Sequence, residues 1–595
     1  MAGEVSVLTQ VAVVLLLPRL LCLDLNGLSG LYFLAMNNAS LLHRPTRRGS
    51  GQRTLLAILA AILLVAGGII IFDNTRATAE TSNTITYLDQ ANWTTLYPPN
   101  AGYYPNGGIV GNITDRLLYQ DPETLELYPW IATDLPEINA DATEYTFHLR
   151  PGVTYSDGSP LDAANVAKNF DLYGLGDKSR KLSVSSQISG YSHSEVIDPL
   201  TVKFYFHSPA PGFLQSTSAI NSGLYSNATL DRSLDEFGPG NALAISGSGP
   251  YVITGETIRK QTVLTAREDY NWAPPVLAKQ GKADIAQITV IATPESAVRV
   301  GAIVAGQADI IRTVDAPMEQ HLLAKGIDIV SASTRGTNNG FHLRFRHPLL
   351  ADIRVRQAIT LGINRDEILT TLFSPSYHRA DGAVAHNAPG FVDLRAQHPE
   401  WFAYDPDRAN QLLDQAGWRR GEDGIRVKDG QRLSLQVSYA TVMPRSRDVI
   451  TKAKEHLSRI GVEINPYSGD NTAQTVASSD ITKIQISHSV FGRAELDAMK
   501  SQFSADNVNK ILNGLPDGTV GDQQLEDLLQ QIASSAQTAD RMAASAAAQQ
   551  RLLAEAYFIP LFEEPQVYAV APKISGFTTE PVGRPNFYLL HKQEG

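Results

Sequence analysis

At 595 residues the chain is too long for a single hydrophobic core and divides into about three or four domains or lobes. Its 43% hydrophobic and 19% charged residues are those of a folded soluble protein. A net charge of −11 without a basic stripe argues against nucleic-acid binding, and the single cysteine, Cys22, excludes an intrachain disulfide, a Cys-based zinc site and an iron–sulfur cluster.

In chain order, a first apolar run, Val11 to Leu17, is broken by Pro18 and Arg19. Cys22 follows leucines as in a lipoprotein box, but Leu21 stands where a small residue is wanted. Met36 is an alternative start to Met1. Leu55 to Phe72 is uncharged, and Arg44, Arg47, Arg48 and Arg53 precede it, which orients the N-terminus toward the cytoplasm. Ala77-Thr78-Ala79 supplies a small-x-small cleavage pattern. The expectation is export, with residues 1–82 an N-terminal export or anchor region that is either cleaved or retained as a spanning helix.

Beyond Glu80, strand-like runs fall at 83–88, 200–206, 251–254, 261–266 and 285–292. Helical periodicity covers Ser296–Ala305, Ile353–Leu361, Arg408–Ala416, Arg445–Arg459 and Asp522–Ala556, the last being one helix or two. The stretch "YTFHLRPGVTYSDGSPLDAANVAKNF" (145–170) is the most strongly patterned. Tyr145, Phe147 and Leu149 alternate with polar residues as in a half-buried strand. Pro151-Gly152 breaks the strand, Val153–Tyr155 reads as a second short strand, and Ser156-Asp157-Gly158 is a turn. Asp162 stands as N-cap of the helix that follows. Strands and helices mix without regular βα alternation, the pattern of an α/β protein with several mixed sheets.

Catalytic signatures are missing: there is no G-x-S-x-G, H-E-x-x-H or P-loop, and none of the 13 histidines pair at i, i+4. His342 and His347 read as ordinary hydrogen-bonded or solvated histidines. "SGSGPY" (246–251) reads as a turn into a sheet. Glu563-Glu564 follow an apolar strand, and a glycosidase-like pairing of carboxylates is not readable from the sequence. Neither a cofactor nor a metal site is expected.

Six further blocks, in order, carry a resemblance to the family-5 solute-binding proteins of ABC importers, the peptide, dipeptide and nickel group. Residues 145–170 resemble its "LR-G-V-(F/Y)-SDG-P" signature. The others are "NITDRLLYQDPETLELYPWIATDL" (112–135), "GSGPYVIT", "ESAVRVGAIVAGQADII" (295–311), "LLADIRVRQAITLGINRDEI" (349–368), "YDPDRANQLLDQAGW" (404–418) and "AYFIPLFEEPQV" (556–567). The resemblance spans about residues 83–590. It implies a periplasmic-binding-protein-like α/β fold with mixed sheets, two lobes joined by a hinge, and an extra inserted domain. Domain I would comprise 83–115, 241–334 and 559–595, domain II 116–240, and domain III 335–558.

By function, the resemblance implies an extracytoplasmic, monomeric binding component that captures a small solute, a short peptide first, and delivers it to an ABC permease. A metal chelate, a sugar or haem is the alternative ligand, and an extracellular hydrolase the remoter reading. Among cleft candidates, Tyr103 and Tyr104 lie in "NAGYYPNGG", read as a tight loop. Asn338 and Asn339 precede "GFHLRF" near the expected hinge into domain III and are read either as hydrogen-bonding a ligand backbone or as a turn pair. His386 and Asn387 match a family loop that faces the cleft. "VFGRAELDAM" (490–499) resembles "W-x-R-A-D-P-D", which aligns Phe491, Arg493, Glu495 and Asp497, with Glu495 in the place of the Asp that pairs with a peptide α-amino group. Leu496 replaces the Pro, so this stretch can equally start a helix, where Glu495 would complement the dipole.

Overall fold

The computed structural model describes residues 83–593 apart from 440–442, 444, 470, 507–511 and 516. The alternation at Tyr145 is realised in strand Glu144–His148, with Tyr145 and Phe147 buried and His148 exposed. It pairs antiparallel with Thr201–Phe206, and Phe147 meets Phe204 and Phe213 edge-on in an aromatic core. Asp162 caps helix Ala163–Leu175, its carboxylate accepting the Asn165 amide at 2.8 Å. Val153–Tyr155 is not a strand: Thr154 makes only an isolated bridge to Pro160. Proline has no N–H with which to extend a ladder there.

Three sheets organise the chain. A seven-stranded mixed sheet runs Asp328–Ser333, Pro565–Val570, Ile310–Arg312, Thr84–Asp89, Gln287–Ala292, Gln261–Ala266, Tyr251–Thr257. Thr84–Asp89 lies at its centre, parallel to both neighbours. A four-stranded sheet holds Glu144–His148 and Thr201–Phe206 between Glu137–Ile138 and Tyr191–Asp198. A five-stranded sheet runs Glu463–Pro466, Ser434–Ser438, Ile486–Phe491, Thr337–Leu343, Phe558–Phe562. One hydrophobic core runs continuously through the first two sheets. A second fills the five-stranded sheet, and a third lies with the helices Gln523–Ser534 and Thr538–Ala554.

The chain passes between the seven- and five-stranded sheets twice, by very short connections. Thr334–Gly336 leads out, and Glu563-Glu564 leads back, slightly beyond the boundary read from the sequence. The two lie side by side, because Ser333 pairs with Pro565 and Asn339 with Phe562. Arg335 has φ +43°. A Cβ on Gly336 would sit 1.9 Å from the Phe491 carbonyl oxygen, so only glycine fits.

Two further local expectations change, and one left open is decided. Tyr103 is the N-cap and Tyr104 the first residue of helix Tyr104–Ile113, where Pro105 supplies a preset helical φ. Asn338 and Asn339 lie inside strand Thr337–Leu343, buried, because each amide finds a partner within the fold. The long C-terminal helix is two helices. The Ser534 hydroxyl bonds back to the Gln530 carbonyl and the backbone turns extended at Ser535. Among the described residues no helix is long and apolar enough to cross a membrane. The apolar stretch 55–72 and Cys22 lie outside the described residues.

Candidate functional site

A cavity of about 320 Å³ is lined from all three parts of the chain. Arg312 and Gln566 come from the seven-stranded sheet, Gln120, Gln215 and Asn221 from the region of the four-stranded sheet, and Phe491 and Arg493 from the end of a strand in the five-stranded sheet. The enclosing parts touch directly. Gln120 Nε2 donates to the Ala494 carbonyl at 3.3 Å, and Arg335 Nη1 to the Glu123 carbonyl at 3.4 Å.

The floor is built on Asp89, at the end of the central strand, and Arg312, at the end of its parallel neighbour. Arg312 Nε and Nη2 donate to the two Asp89 oxygens at 2.9 and 2.6 Å, and Nη1 donates to Gln566 Oε1 at 2.9 Å. Burial alone would lower the Arg312 guanidinium, but the Asp89 charge and its hydrogen bonds, with Tyr87 and Tyr568, together carry it well above its ordinary value. Tyr104 packs on this floor. Its ring lies under Arg584 and Arg312, with guanidinium carbons 4.7 and 5.4 Å from the centroid, and its hydroxyl donates to the Val582 carbonyl at 2.8 Å. Arg584 is itself paired with Glu580 at 3.1 Å.

The opposite wall is different. Arg493 is buried, with Nε at ion-pair distance, 3.0 Å, from Asp497 Oδ1, yet none of its three guanidinium nitrogens has a hydrogen-bond partner among the described residues. Behind it, Asp497 is the N-cap of helix Ala498–Phe503. Glu495 receives Arg541 Nη2 at 2.6 Å and also accepts the Asp497 amide. Burial would raise the Glu495 carboxyl, but Arg541, the hydrogen bonds from Asp497, and Arg493 together outweigh it and hold it below its ordinary value. Burial pushes Asp497 up to about 8, against the pull of Arg493 and with the help of the Glu495 charge. A Cβ on Gly212 would come within 2.8 Å of Asp497 Oδ2, so the loop after the four-stranded sheet closes over this carboxylate.

Of the residues singled out in the sequence, Tyr103, Tyr104, Phe491 and Arg493 line this cavity. Glu495 and Asp497 lie behind the wall, already engaged by Arg541 and Arg493. His386 and Asn387 line an adjoining cavity of about 410 Å³, which shares Glu564, Pro565, Glu580 and Pro581 with the first. There His386 Nδ1 lies 2.6 Å from Glu563 Oε2, and Asn387 accepts from the Ser333 hydroxyl. Asn338 Nδ2 ties down the Gly382 and Val384 carbonyls.

Asn339 belongs to a buried chain. Ser446 Oγ lies 2.8 Å from His488 Nδ1, and His488 Nε2 lies 2.5 Å from Asn339 Oδ1. Asn339 Nδ2 donates to Glu564 Oε2 at 2.9 Å. Burial lowers His488 to about 3, so the ring is neutral. Since Asn339 Oδ1 can only accept, the ring proton sits on Nε2 and Ser446 donates to Nδ1. Glu564 lines both cavities and lay outside the sequence candidates, as did Arg312 and Gln566. The signal for Glu564 was an acidic pair in the middle of a run, 556–571, that is otherwise almost wholly apolar.

Residues 126–505 match the model for "Bacterial extracellular solute-binding proteins, family 5 Middle". Protein XP55 of Streptomyces lividans is 26% identical over 379 residues, 62% of this chain and 63% of that protein. The nickel-binding periplasmic protein of Escherichia coli K12 is 22% identical over 520 residues, 82% of this chain and 92% of that protein. Among solved structures, the periplasmic binding protein DppA of Helicobacter pylori, in complex with the peptide STSA, superposes with a TM-score of 0.69 at 18% identity. That alignment covers 86% of this chain and 98% of that one, and it shows a shared fold. With the matched segment containing the signature at 145–170 and, from the cavity lining, Gln215, Asn221, Arg312 and Arg493, the chain belongs to the bacterial extracellular solute-binding proteins of family 5.

Proposed function

We propose that this protein is the extracytoplasmic binding component of an ABC importer and that it captures, without converting it, a small solute bearing a carboxylate, a short peptide first. The cavity is the ligand site, and the paired connections at Thr334–Gly336 and Glu563-Glu564 are the hinge between lobes, with domains I to III divided as the three sheets divide. A membrane permease receives the closed form.

The observation that carries this reading is Arg493. A buried guanidinium whose nitrogens find no hydrogen bond among the described residues is costly, each unsatisfied buried donor costing about 1–3 kcal/mol. A carboxylate on Nη1 and Nη2 removes that cost with a planar, charge-assisted pair. Asp497 at Nε fixes the orientation of the fork from behind. The lining glutamines and Asn221 offer donors and acceptors suited to peptide backbone.

A thermal-shift screen of the purified full chain against peptides, sugars and metal chelates tests it, since a ligand that binds only the native state raises the melting temperature. The best-stabilising compound is expected to contain a carboxylate, to be recovered unchanged, and to bind Arg493→Gln more weakly by about 2–5 kcal/mol, at least ~30-fold. Chemical conversion of that compound, or equal affinity for Arg493→Gln, overturns the reading.

A further inference from the structure

We propose that Glu564 is the counter-ion for an ammonium group of the ligand, so that the cavity takes a zwitterion held by its carboxylate on Arg493 and by its ammonium on Glu564. This rests on the cavity being the ligand site. It departs from the alignment with the family's acidic block, which places the ammonium on Glu495, a side chain engaged by Arg541 and set behind the wall.

The argument begins with position. Glu564 is one of two residues in the returning connection between sheets, and its side chain is buried. Oε2 is fixed by Asn339, which is held in turn by His488 and Ser446, so the carboxyl group is aimed before any ligand arrives. Oε1 has no partner among the described residues, and the residue lines the same cavity as Arg493.

The surrounding charges are matched to one another and not to Glu564. Arg312 is taken by Asp89 and Arg584 by Glu580. In the adjoining cavity His386 is taken by Glu563, and Arg335 faces Glu123 at 3.9 Å. Tyr104 and Tyr377 also line the cavity, and burial pushes both phenols up, so they bring no charge. Among the described residues Glu564 therefore makes no ion pair, and burial pushes it up to about 8 despite the Asn339 hydrogen bond. An ammonium restores the missing pairing and forms a charge-assisted hydrogen bond to Oε1. Arg493 and Glu564 thus both line one cavity of about 320 Å³, carry opposite charges when ionised, and each keep polar atoms without a hydrogen-bond partner among the described residues.

The test is calorimetric titration of the purified full chain with alanine oligomers of two to five residues, each free, N-acetylated and C-amidated. In the wild type, N-acetylation of the best oligomer is expected to weaken binding at least ~30-fold. In Glu564→Gln, free and acetylated forms should bind within about threefold of each other, because the isosteric amide gives the ammonium no charge to meet. Glu564→Asp, which withdraws the carboxylate by one methylene, serves as the second variant and should show an intermediate acetylation penalty. The proposal is overturned if the wild type binds acetylated and free oligomers alike, or if the penalty persists undiminished in both variants. It is also overturned if no free oligomer binds while EDTA or citrate, as simple carboxylate probes, binds in an Arg493-dependent way. That last result would leave the Arg493 reading standing. C-amides that bind as tightly as acids would overturn the Arg493 reading, while the acetylation comparison would still decide Glu564.

Discussion

Two buried arginines line one cavity and are treated in opposite ways. Arg312, on the floor, has every nitrogen bonded, to both oxygens of Asp89 and to Gln566. Arg493, on the facing wall, has Nε at ion-pair distance from Asp497 and no hydrogen bond to any of its three nitrogens among the described residues. Burial does not distinguish them, since each is nearly inaccessible. What differs is whether the fold itself supplies the counter-groups. The floor joins two parallel strands at the centre of the seven-stranded sheet and must hold with or without a ligand. The wall sits on a strand end of the other sheet, so its unsatisfied donors are a cost that only an occupant relieves.

The sharpest way to break this comparison is to remove the acid from the floor. Asp89→Ala leaves Arg312 buried and unpaired, and stability should fall by about 3–5 kcal/mol, read from the denaturant midpoint. The preference between free and C-amidated peptide should survive in the fraction that remains folded. Should Asp89→Ala leave stability intact and abolish that preference, the floor is part of the recognition surface and the distinction fails.

The extent to which this was legible in the sequence follows the same divide. Local elements whose chemistry is self-contained could be read directly: the alternation at Tyr145, the cap at Asp162, the helices at 296, 353 and 446. The family blocks located Arg493 because a motif surrounds it. Asp89 and Arg312 lie far apart in the chain and meet only because their strands are parallel neighbours, so neither carries a local signal. Asn338 and Asn339 looked like a turn because paired asparagines usually are one. Their tertiary partners, the Val384 carbonyl and Glu564, could not be seen from the chain alone. Glu495 shows the reverse case: a motif surrounds it, but its partner in the fold, Arg541, comes from a helix much later in the chain and has no local signal.

A gentler perturbation sharpens the contrast by pH. A carboxyl raised to about 8 in the fold holds a proton that the unfolded chain, with an ordinary glutamate, loses near pH 4.5. Its contribution to stability is therefore complete below pH 4.5, declines as pH rises, and is gone above about 8. Asp115, raised to about 7 by burial, and Asp497 act in the same direction. His342, lowered to about 4, and His488 act oppositely, destabilising as pH falls below about 6.5. The difference between Glu564→Gln and wild type removes these shared terms. That difference should shift in favour of the variant by on the order of 1 kcal/mol per pH unit between pH 5 and 8, in the absence of ligand. A flat difference would mean that Glu564 is ionised in the apo protein and has a protein cation after all.

The smallest effect is expected at Tyr104, which lines the cavity but belongs with the floor. Its hydroxyl is already bonded to the Val582 carbonyl, and its ring is covered by Arg584 and Arg312. Removing the hydroxyl in Tyr104→Phe deletes one buried hydrogen bond and leaves a carbonyl unpaired, while the ring stacking is kept. Stability should fall by about 0.5–1.5 kcal/mol, the net worth of such a bond, measured by chemical denaturation. Affinity for the best peptide should change by less than about threefold, because ligand recognition is assigned to groups the protein leaves open. A tenfold loss of affinity at unchanged stability would move Tyr104 from the floor to the recognition wall. The rule that saturated groups are structural and open ones bind would then fail at the residue where the two surfaces meet.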